Sequence, residues 1–405
     1  MPRSSKSFFS RNKSVFSLGM IALMISSLGD LLAGATLGYM TDTLSLLPGL
    51  MILIPPAIGM RGNIFGALGS RLGTAMHMGT FEASFRPRSI LRQSMESSLL
   101  LTLIMSLLMG ILAKVVAAVF GVASISTQDF VFISVLGGVL AGLVLFFINV
   151  AVARTGFKRN WDVDNISAPL ITAAGDVITL PMLFLAAIIV LDAPLLLIDA
   201  LFVIFVAATL ILTSMLFRKG HKEVKRVVRQ SFPVLTICVV LDIVAGLTID
   251  HQLESLVTLP ALLVLIPPFL EDANALGGIL TSRFSTELHI GQMEPRALPG
   301  EAARENFAII YIFALWVFTL VGVSSYAVAW IMGLGSPPLW DIVVLTLLAG
   351  LITVTALNIV AYYVAVSTYR LNLDPDDHSI PLTSSAVDMI GSFALIGVIL
   401  LMGLG

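Results

Sequence analysis

The sequence predicts an all-α protein that crosses the membrane about eleven times, with two parallel five-helix repeats joined by one extra helix. The composition supports this prediction, because 57% of the residues are hydrophobic, 12% are charged and the mean hydropathy is +0.99. Such a chain is too apolar for a soluble domain. We therefore expect it to lie in a lipid bilayer and to have no nucleic acid as a partner.

The two halves of the chain match without a gap at one constant displacement, so that Asp30 corresponds to Asp242. We call this correspondence the repeat register. Prolines, arginines and carboxylates in one register are hard to obtain by chance, so we interpret the chain as an internal duplication. The repeated residues include Asp30, Gly34, Pro55, Pro56, Gly66, Arg71, His77, Asp162, Asp164, Pro169 and Asp176, which correspond to Asp242, Gly246, Pro267, Pro268, Gly278, Arg283, His289, Asp374, Asp376, Pro381 and Asp388.

Hydropathy divides the chain into four parts. We predict a cytoplasmic segment at 1–14, a first repeat at 15–191, a linker helix with a basic segment at 192–231, and a second repeat at 232–405. The linker span has no counterpart, and it makes the period even, so both repeats insert in one orientation. The predicted spans are 15–40, 45–66, 96–120, 130–153, 166–191, 195–217, 232–250, 256–280, 306–332, 341–366 and 381–404.

The basic residues predict the orientation of the chain. They are concentrated in alternate loops, whereas the loops around 41–44, 121–129, 192–194, 250–255 and 333–340 contain no Lys or Arg. Because cytoplasmic loops carry the excess of Lys and Arg, we expect a multi-pass plasma-membrane protein with a cytoplasmic N-terminus and an external C-terminus. Lys114 falls near the outer end of a span, from which it can reach outward.

One carboxylate lies deep in the last span of each repeat. Asp176 and Asp388 each follow a proline by seven residues, and Thr172 and Ser384 stand four residues before them on the same helical face. A carboxylate in the hydrocarbon is costly unless it lines a polar cavity or binds a cation. A hydrogen-bonded packing role is the alternative, but repetition at one depth favours a cation site.

A Pro-Pro pair also repeats in the second span of each copy. Paired prolines and nearby glycines predict an interrupted helix, whose free carbonyls can line a cavity. Asp30 and Asp242 either line the same path or pair with Arg61, Arg71 or Arg283. The candidate residues of these spans are Asn63 and Asn274 as metal ligands, and Gly59, Gly62, Glu271, Asp272, Asp30 and Asp242 along the pathway.

The candidate ligands are oxygen atoms, which indicates a hard cation. Cys238, the single cysteine, falls in an apolar stretch, and we interpret it as a packed core residue. Two carboxylates at one depth suit a divalent ion, and Mg²⁺ is commonly held by one or two carboxylates with much of its water retained. We therefore predict Mg²⁺ as the transported ion, with Mn²⁺ or Ca²⁺ as alternatives.

Several motifs resemble those of the MgtE and solute carrier family 41 magnesium transporters. They are Pro55-Pro-Ala-Ile-Gly-Met-Arg-Gly-Asn63, Ser70-Arg-Leu-Gly-Thr74, Ser282-Arg-Phe-Ser-Thr-Glu-Leu-His289 and the helix from Asp164 to Asp176. The resemblance covers about 15–404 and implies a single chain doing the work of an MgtE homodimer, with Asp176 and Asp388 sharing one central site. A monomer would then suffice, without an N-terminal sensor domain, and Na⁺ would be the coupling ion if the protein is an exchanger.

Other function classes remain as alternatives at this point. A secondary transporter coupled to sodium or protons, carrying another cation or a small solute, is the main one. An intramembrane aspartyl protease also uses two membrane aspartates, but its Tyr-Asp and Gly-x-Gly-Asp motifs are missing around Asp176 and Asp388. We therefore expect a transporter and no enzyme activity, with channel and exchanger mechanisms both open.

Overall fold

The computed structural model describes residues 13–82, 84–86, 89–159, 163–373 and 378–404, in which all regular secondary structure is helical. Eleven of the described helices are long and apolar enough to span a membrane. The helices are α1 (Lys13–Tyr39), α2 (Thr41–Leu46), α3 (Ile54–His77), α4 (Ile90–Val119), α5 (Thr127–Arg159), α6 (Val163–Asp192), α7 (Leu195–Lys219), α8 (Lys222–Asp250), α9 (Leu253–Thr258), α10 (Ala261–His289), α11 (Glu301–Ile331), α12 (Leu339–Arg370) and α13 (Ile380–Leu401).

The secondary structure follows the repeat register of the sequence. The short helices α2 and α9 coincide in that register at both ends, and the first residues of α5 and α12 coincide as well. Helices α1–α6 thus correspond to α8–α13, and α7 stands between them without a counterpart. The predicted fold class, two parallel repeats joined by one extra helix, is confirmed.

The first helix of each repeat packs against the other repeat. Helix α1 lies against α10 and α11, and α8 lies against α3, α4 and the 3₁₀ turn Leu50–Leu53. Each of these helices also contacts the last helix of its own repeat, since α1 packs on α6 and α8 on α13. The contacts between the repeats are therefore made by α1 with α10 and α11, by α8 with α3 and α4, and by α13 with α3.

Two glycines allow the first helix of each repeat to pack closely against the other repeat. A side chain at Gly34 would overlap the carbonyl oxygen of Val264, and one at Gly246 would begin 2.6 Å from the carbonyl oxygen of Ile52. These contacts are equivalent, because the two glycines coincide in the repeat register and so do the two carbonyls. The prolines four residues further on, Pro268 and Pro56, have no N–H to donate to these carbonyls, so the oxygens face the neighbouring helix instead.

The expectation of an interrupted helix is wrong for the second repeat, whereas in the first repeat the predicted span changes from a 3₁₀ turn to an α-helix at the prolines. Helix α10 runs unbroken through Pro267 and Pro268, while in the first repeat the two prolines fall in the first turn of α3, after a 3₁₀ turn. Proline fits the first turn of a helix because the N–H groups there have no helical acceptor. Both helices also extend beyond their predicted spans, to His77 and His289, because polar residues lower hydropathy without ending a helix.

Burial separates the core helices from the peripheral one. About 72% of the apolar window of α3, and the same share of α10, is buried, compared with 11% for α7. Helix α7 therefore exposes most of its surface where lipid would surround it.

Lys114 is held at the end of α4, where its ammonium group donates 2.9 Å hydrogen bonds to Ser124 Oγ and the Ile125 carbonyl.

Candidate functional site

Six carboxyl groups meet at the interface between the repeats, and we call this cluster the acidic centre. Glu271 interacts electrostatically with all five of the others. Those five are at most 3% exposed, whereas Glu271 is half-buried. The exchange of α1 and α8 between the repeats brings these groups together. The members are Asp30 on α1, Asp176 on α6, Asp242 on α8, Glu271 and Asp272 on α10, and Asp388 on α13.

On one side of the acidic centre, Asp30 and Asp176 are within hydrogen-bonding reach of each other. Ser26 Oγ donates to Asp30 Oδ2 at 3.4 Å, one helical turn away on α1. Asp272 approaches from α10, with Ser27 beside it. Among the described residues, neither oxygen of Asp272 has a hydrogen-bond partner. This side therefore contains three carboxyl groups and two hydroxyls.

On the other side, Asp242 and Asp388 both lie against Gly59. A Cβ atom at Gly59 would be 3.1 Å from Asp242 Oδ2 and 3.7 Å from Asp388 Oδ2, so the glycine leaves room for both carboxylates. Asn274 Nδ2 donates to Asp388 Oδ1 at 2.9 Å, and the hydroxyl of Ser385 lies near Asp242. The described part of the chain offers no hydrogen-bond partner to either oxygen of Asp242.

Arg61 and Arg283 do not neutralise the acidic centre. Arg61, 1% exposed, donates to Ser106 Oγ at 3.0 Å, and Arg283 donates to Asn306 Oδ1 at 2.6 Å. The predicted alternative, in which Asp30 or Asp242 pairs with either of these, is wrong. Buried carboxylates without basic partners are stable only as protonated groups or with bound cations. The arrangement can therefore hold cations or protons.

The carboxyl groups do not close tightly around one point. Within the described ranges, no three His, Cys, Asp or Glu side chains are near enough to hold one metal ion. A cation in this arrangement would be bound by one or two carboxylates, and hydroxyls, amides or water would supply its other ligands. Hard divalent cations that keep part of their water are bound in this way.

The remaining predicted residues lie around the centre or outside it. Asn63 lines a shallow cavity with Arg71, Ser231 and Pro381. Gly62 packs against Gly175, whose Cβ would lie 3.9 Å from the Gly62 nitrogen. Ser384 is half-buried on α13. Thr172 stands in α6, but its side chain and that of Asp164 lie outside the described part, as do Asp162, Asp374, Asp376 and Asp377.

Four residues near the acidic centre were missed by the sequence reasoning. Ser26 and Ser27 precede Asp30 by four and three residues, and Ser385 precedes Asp388 by three, so helical spacing alone could have indicated them. Cys238, predicted to be a core residue, is fully buried but also lies one turn from Asp242 and interacts electrostatically with both Asp242 and Asp388.

Comparisons with known proteins point to the same chemistry. The chain matches MgtE, described as divalent cation transporter, over residues 54–186 and again over 266–398, two regions that coincide in the repeat register. It is 24% identical to solute carrier family 41 member 3 of Rattus norvegicus, covering 93% of this chain and 84% of that protein.

Member 2 of the same solute carrier family gives similar matches. The chain is 23% identical to the Xenopus laevis protein and 22% identical to the Homo sapiens protein, covering 93% of this chain and 70% and 68% of theirs. No solved structure matches. Because the two matched regions together span more than half of the sequence, the chain belongs to the MgtE family of divalent cation transporters.

Proposed function

We propose that this protein carries Mg²⁺ across the plasma membrane between its two repeats, and that the acidic centre binds the ion on the way. One observation carries the proposal: six carboxyl groups, five of them buried and Glu271 half-buried, meet at the repeat interface without a basic partner from Arg61 or Arg283. Such a cluster attracts cations and repels anions. We further propose that the protein acts as a transporter without enzyme activity.

Mg²⁺ is favoured by the oxygen chemistry of the centre. The groups around Asp30 and Asp176 are carboxylates and hydroxyls, and Asp388 adds the Asn274 amide. Hard cations prefer such ligands, and a loosely arranged site suits an ion that keeps its water. Mn²⁺ and Ca²⁺ are the ions to compare in competition.

The proposed orientation follows from the basic loops. The N-terminus is placed in the cytoplasm and the C-terminus outside, as the positive-inside rule requires. The central interface is formed within one chain, because α1 and α8 cross between the repeats. A monomer therefore has both halves of the proposed site.

Flux into proteoliposomes tests the proposal. The full-length parent is compared with Asp176→Asn, Asp388→Asn and the double variant, and Asp199→Asn on exposed α7 is the control. We expect the double variant to lose at least about tenfold of the Mg²⁺ flux, because carboxamides carry no charge. Normal flux in a double variant that folds would contradict the role of the acidic centre.

The same assay addresses coupling. Mg²⁺ flux that depends on an opposing Na⁺ gradient would identify an exchanger, whereas flux unaffected by Na⁺ would identify a channel. A parent protein that carries no divalent cation under any gradient would contradict the transport function itself.

A further inference from the structure

We infer that the turn between α7 and α8 binds the headgroup of an anionic phospholipid of the cytoplasmic leaflet, whose acyl chains lie along the apolar surface next to it. Six basic residues at this turn form what we call the basic face. Five of them are exposed and Lys225 is half-buried. The six are Arg218, Lys219, Lys222, Lys225, Arg226 and Arg229. This inference goes beyond cation transport and does not depend on which ion is carried.

A tight turn brings the basic ends of the two helices together. Helix α7 ends at Lys219 and α8 begins at Lys222, so only two residues lie between them. The Gly220 N–H donates to the Leu216 carbonyl at 2.7 Å, and a Cβ at Gly220 would lie 2.6 Å from the same oxygen. A side chain there would therefore force the turn open. Glycine keeps the last turn of α7, with Arg218 and Lys219, close to the first turn of α8.

Helical geometry places the basic residues of α8 on its outer side. At 3.6 residues per turn, four of them fall within an arc of about 100°. These four are Lys222, Lys225, Arg226 and Arg229. Val224, Val228 and Ser231 are buried and fall on the opposite side of the helix. Since α8 packs on α3, α4 and α13, the basic residues lie on the side away from these helices.

The protein itself does not neutralise the basic face. Within the described ranges, the one ion pair of this segment joins Arg226 to Glu223 at 3.8 Å, and their side chains are 67% and 64% exposed. A pair so exposed contributes little. On α4, which packs against both helices, Glu96 is paired with Arg92 at 2.7 Å. An anionic partner from outside the chain fits this excess of positive charge, and a basic cluster directly beside a membrane span attracts anionic lipids.

The surface next to the basic face is apolar. On α8, Phe232, Ile237 and Val240 follow the basic residues on the same side of the helix, and all three are exposed. On α7, Leu212 and Met215 precede the turn and are exposed as well. Positive charge at the membrane surface followed by apolar side chains matches a molecule with an anionic head and hydrocarbon tails. A free phosphate ion would use only the charged part, so the arrangement favours a lipid.

Photochemical cross-linking of the full-length protein tests this inference. Nanodiscs of phosphatidylcholine contain a trace of phosphatidylserine or of phosphatidylcholine, each with a photoreactive diazirine on one acyl chain. Mass spectrometry then measures the labelling of residues 230–241. The test variant is Lys222→Gln with Arg229→Gln. The matched control is Arg86→Gln with Arg304→Gln, which removes the same charge at other exposed positions. Unchanged labelling by the phosphatidylcholine probe establishes that each variant is folded and inserted.

In the parent protein we expect the phosphatidylserine probe to label 230–241 at least about fivefold more than the phosphatidylcholine probe, because one basic residue near an anionic surface contributes about that factor. The test variant should lose this preference and the control should keep it. Equal labelling by both probes in the parent, or an equal loss of preference in both variants, would overturn the inference. Displacement of the phosphatidylserine label by inorganic phosphate would make a free anion the ligand and overturn the lipid as occupant.

Discussion

Arg61 and Ser106 show how single residues have diverged while the repeats kept their geometry. A side chain at Gly138 would overlap both the Arg61 guanidinium and Ser106 Oγ. In the second repeat the equivalent glycine is Gly350, where an added side chain would overlap the ring of Phe318. Phe318 occupies the position of Ser106, and Ala273 that of Arg61. A polar pair in the first repeat thus fills the space that an aromatic ring fills in the second.

This equivalence predicts that Arg61→Ala combined with Ser106→Phe will fold, because the pair nearly conserves the packed volume. Replacing a buried charge by apolar packing is often neutral or stabilising. Ser106→Phe alone should lower the free energy of unfolding by about 2–4 kcal/mol, through overpacking and loss of the hydrogen bond to Arg61. Thermal unfolding in detergent measures both. A double variant less stable than Ser106→Phe would contradict the equivalence.

Cys238 lies at the edge of the acidic centre. It is the only cysteine, and it is fully buried one turn before Asp242. We expect Cys238→Leu to lower Mg²⁺ flux about tenfold, because the larger side chain would need the space beside the carboxylates. Cys238→Ala is the control and should transport normally. Equal flux in the two variants would contradict a place for Cys238 beside the centre.

At the scale of the helices, the Pro-Pro pairs support packing. The sequence indicated interrupted helices, since proline removes a backbone donor. The structure uses that lost donor differently, because the carbonyls of Ile52 and Val264 face the glycines of a crossing helix. Local sequence could indicate the missing hydrogen bond. It could not indicate which helix would approach the oxygen, because that depends on tertiary contacts.

Gly246→Ala tests this contact. The new methyl group would begin 2.6 Å from the Ile52 carbonyl oxygen, so the helices must separate. We expect the free energy of unfolding to fall by about 1–3 kcal/mol, and Mg²⁺ flux to fall with it. Gly278→Ala is the matched control, because its Cβ meets nothing within 4 Å. Alanine there should be neutral or stabilising by up to about 1 kcal/mol. Equal stability of both variants would contradict the packing role.

At the scale of the whole molecule, the sequence predicted the number of spans and the repeat register, and the six residues of the acidic centre are all among its candidate residues. It did not predict that α1 packs against α10 and α11 and that α8 packs against α3 and α4 of the other repeat. That Asp176 and Asp388 share one site stays a prediction. Hydrophobic periodicity shows which face of a helix is buried but not which helix packs against that face. The packing of α1 and α8 against the other repeat could therefore not be predicted from the sequence.

The odd number of spans predicts that the two ends of the chain lie on opposite sides of the membrane. In a Cys238→Ala background, a cysteine at Leu404 should react with an impermeant maleimide added outside intact cells. A cysteine at His221 should react only after permeabilisation, since it precedes a basic cytoplasmic stretch. Labelling of both residues, or of neither, in intact cells would contradict the proposed orientation.

Helix α7 has a consequence for how such a chain could arise. If a gene encoding five spans is fused directly to its own copy, the second half is inverted in the membrane relative to the first. One additional span of any apolar sequence between the copies gives both halves the same orientation. Only 11% of the apolar window of α7 is buried. A span that only sets the orientation of the second repeat needs few contacts with the other helices. The sequence of α7 could then change with little effect on packing. The two repeats, joined in one polypeptide, could diverge from each other.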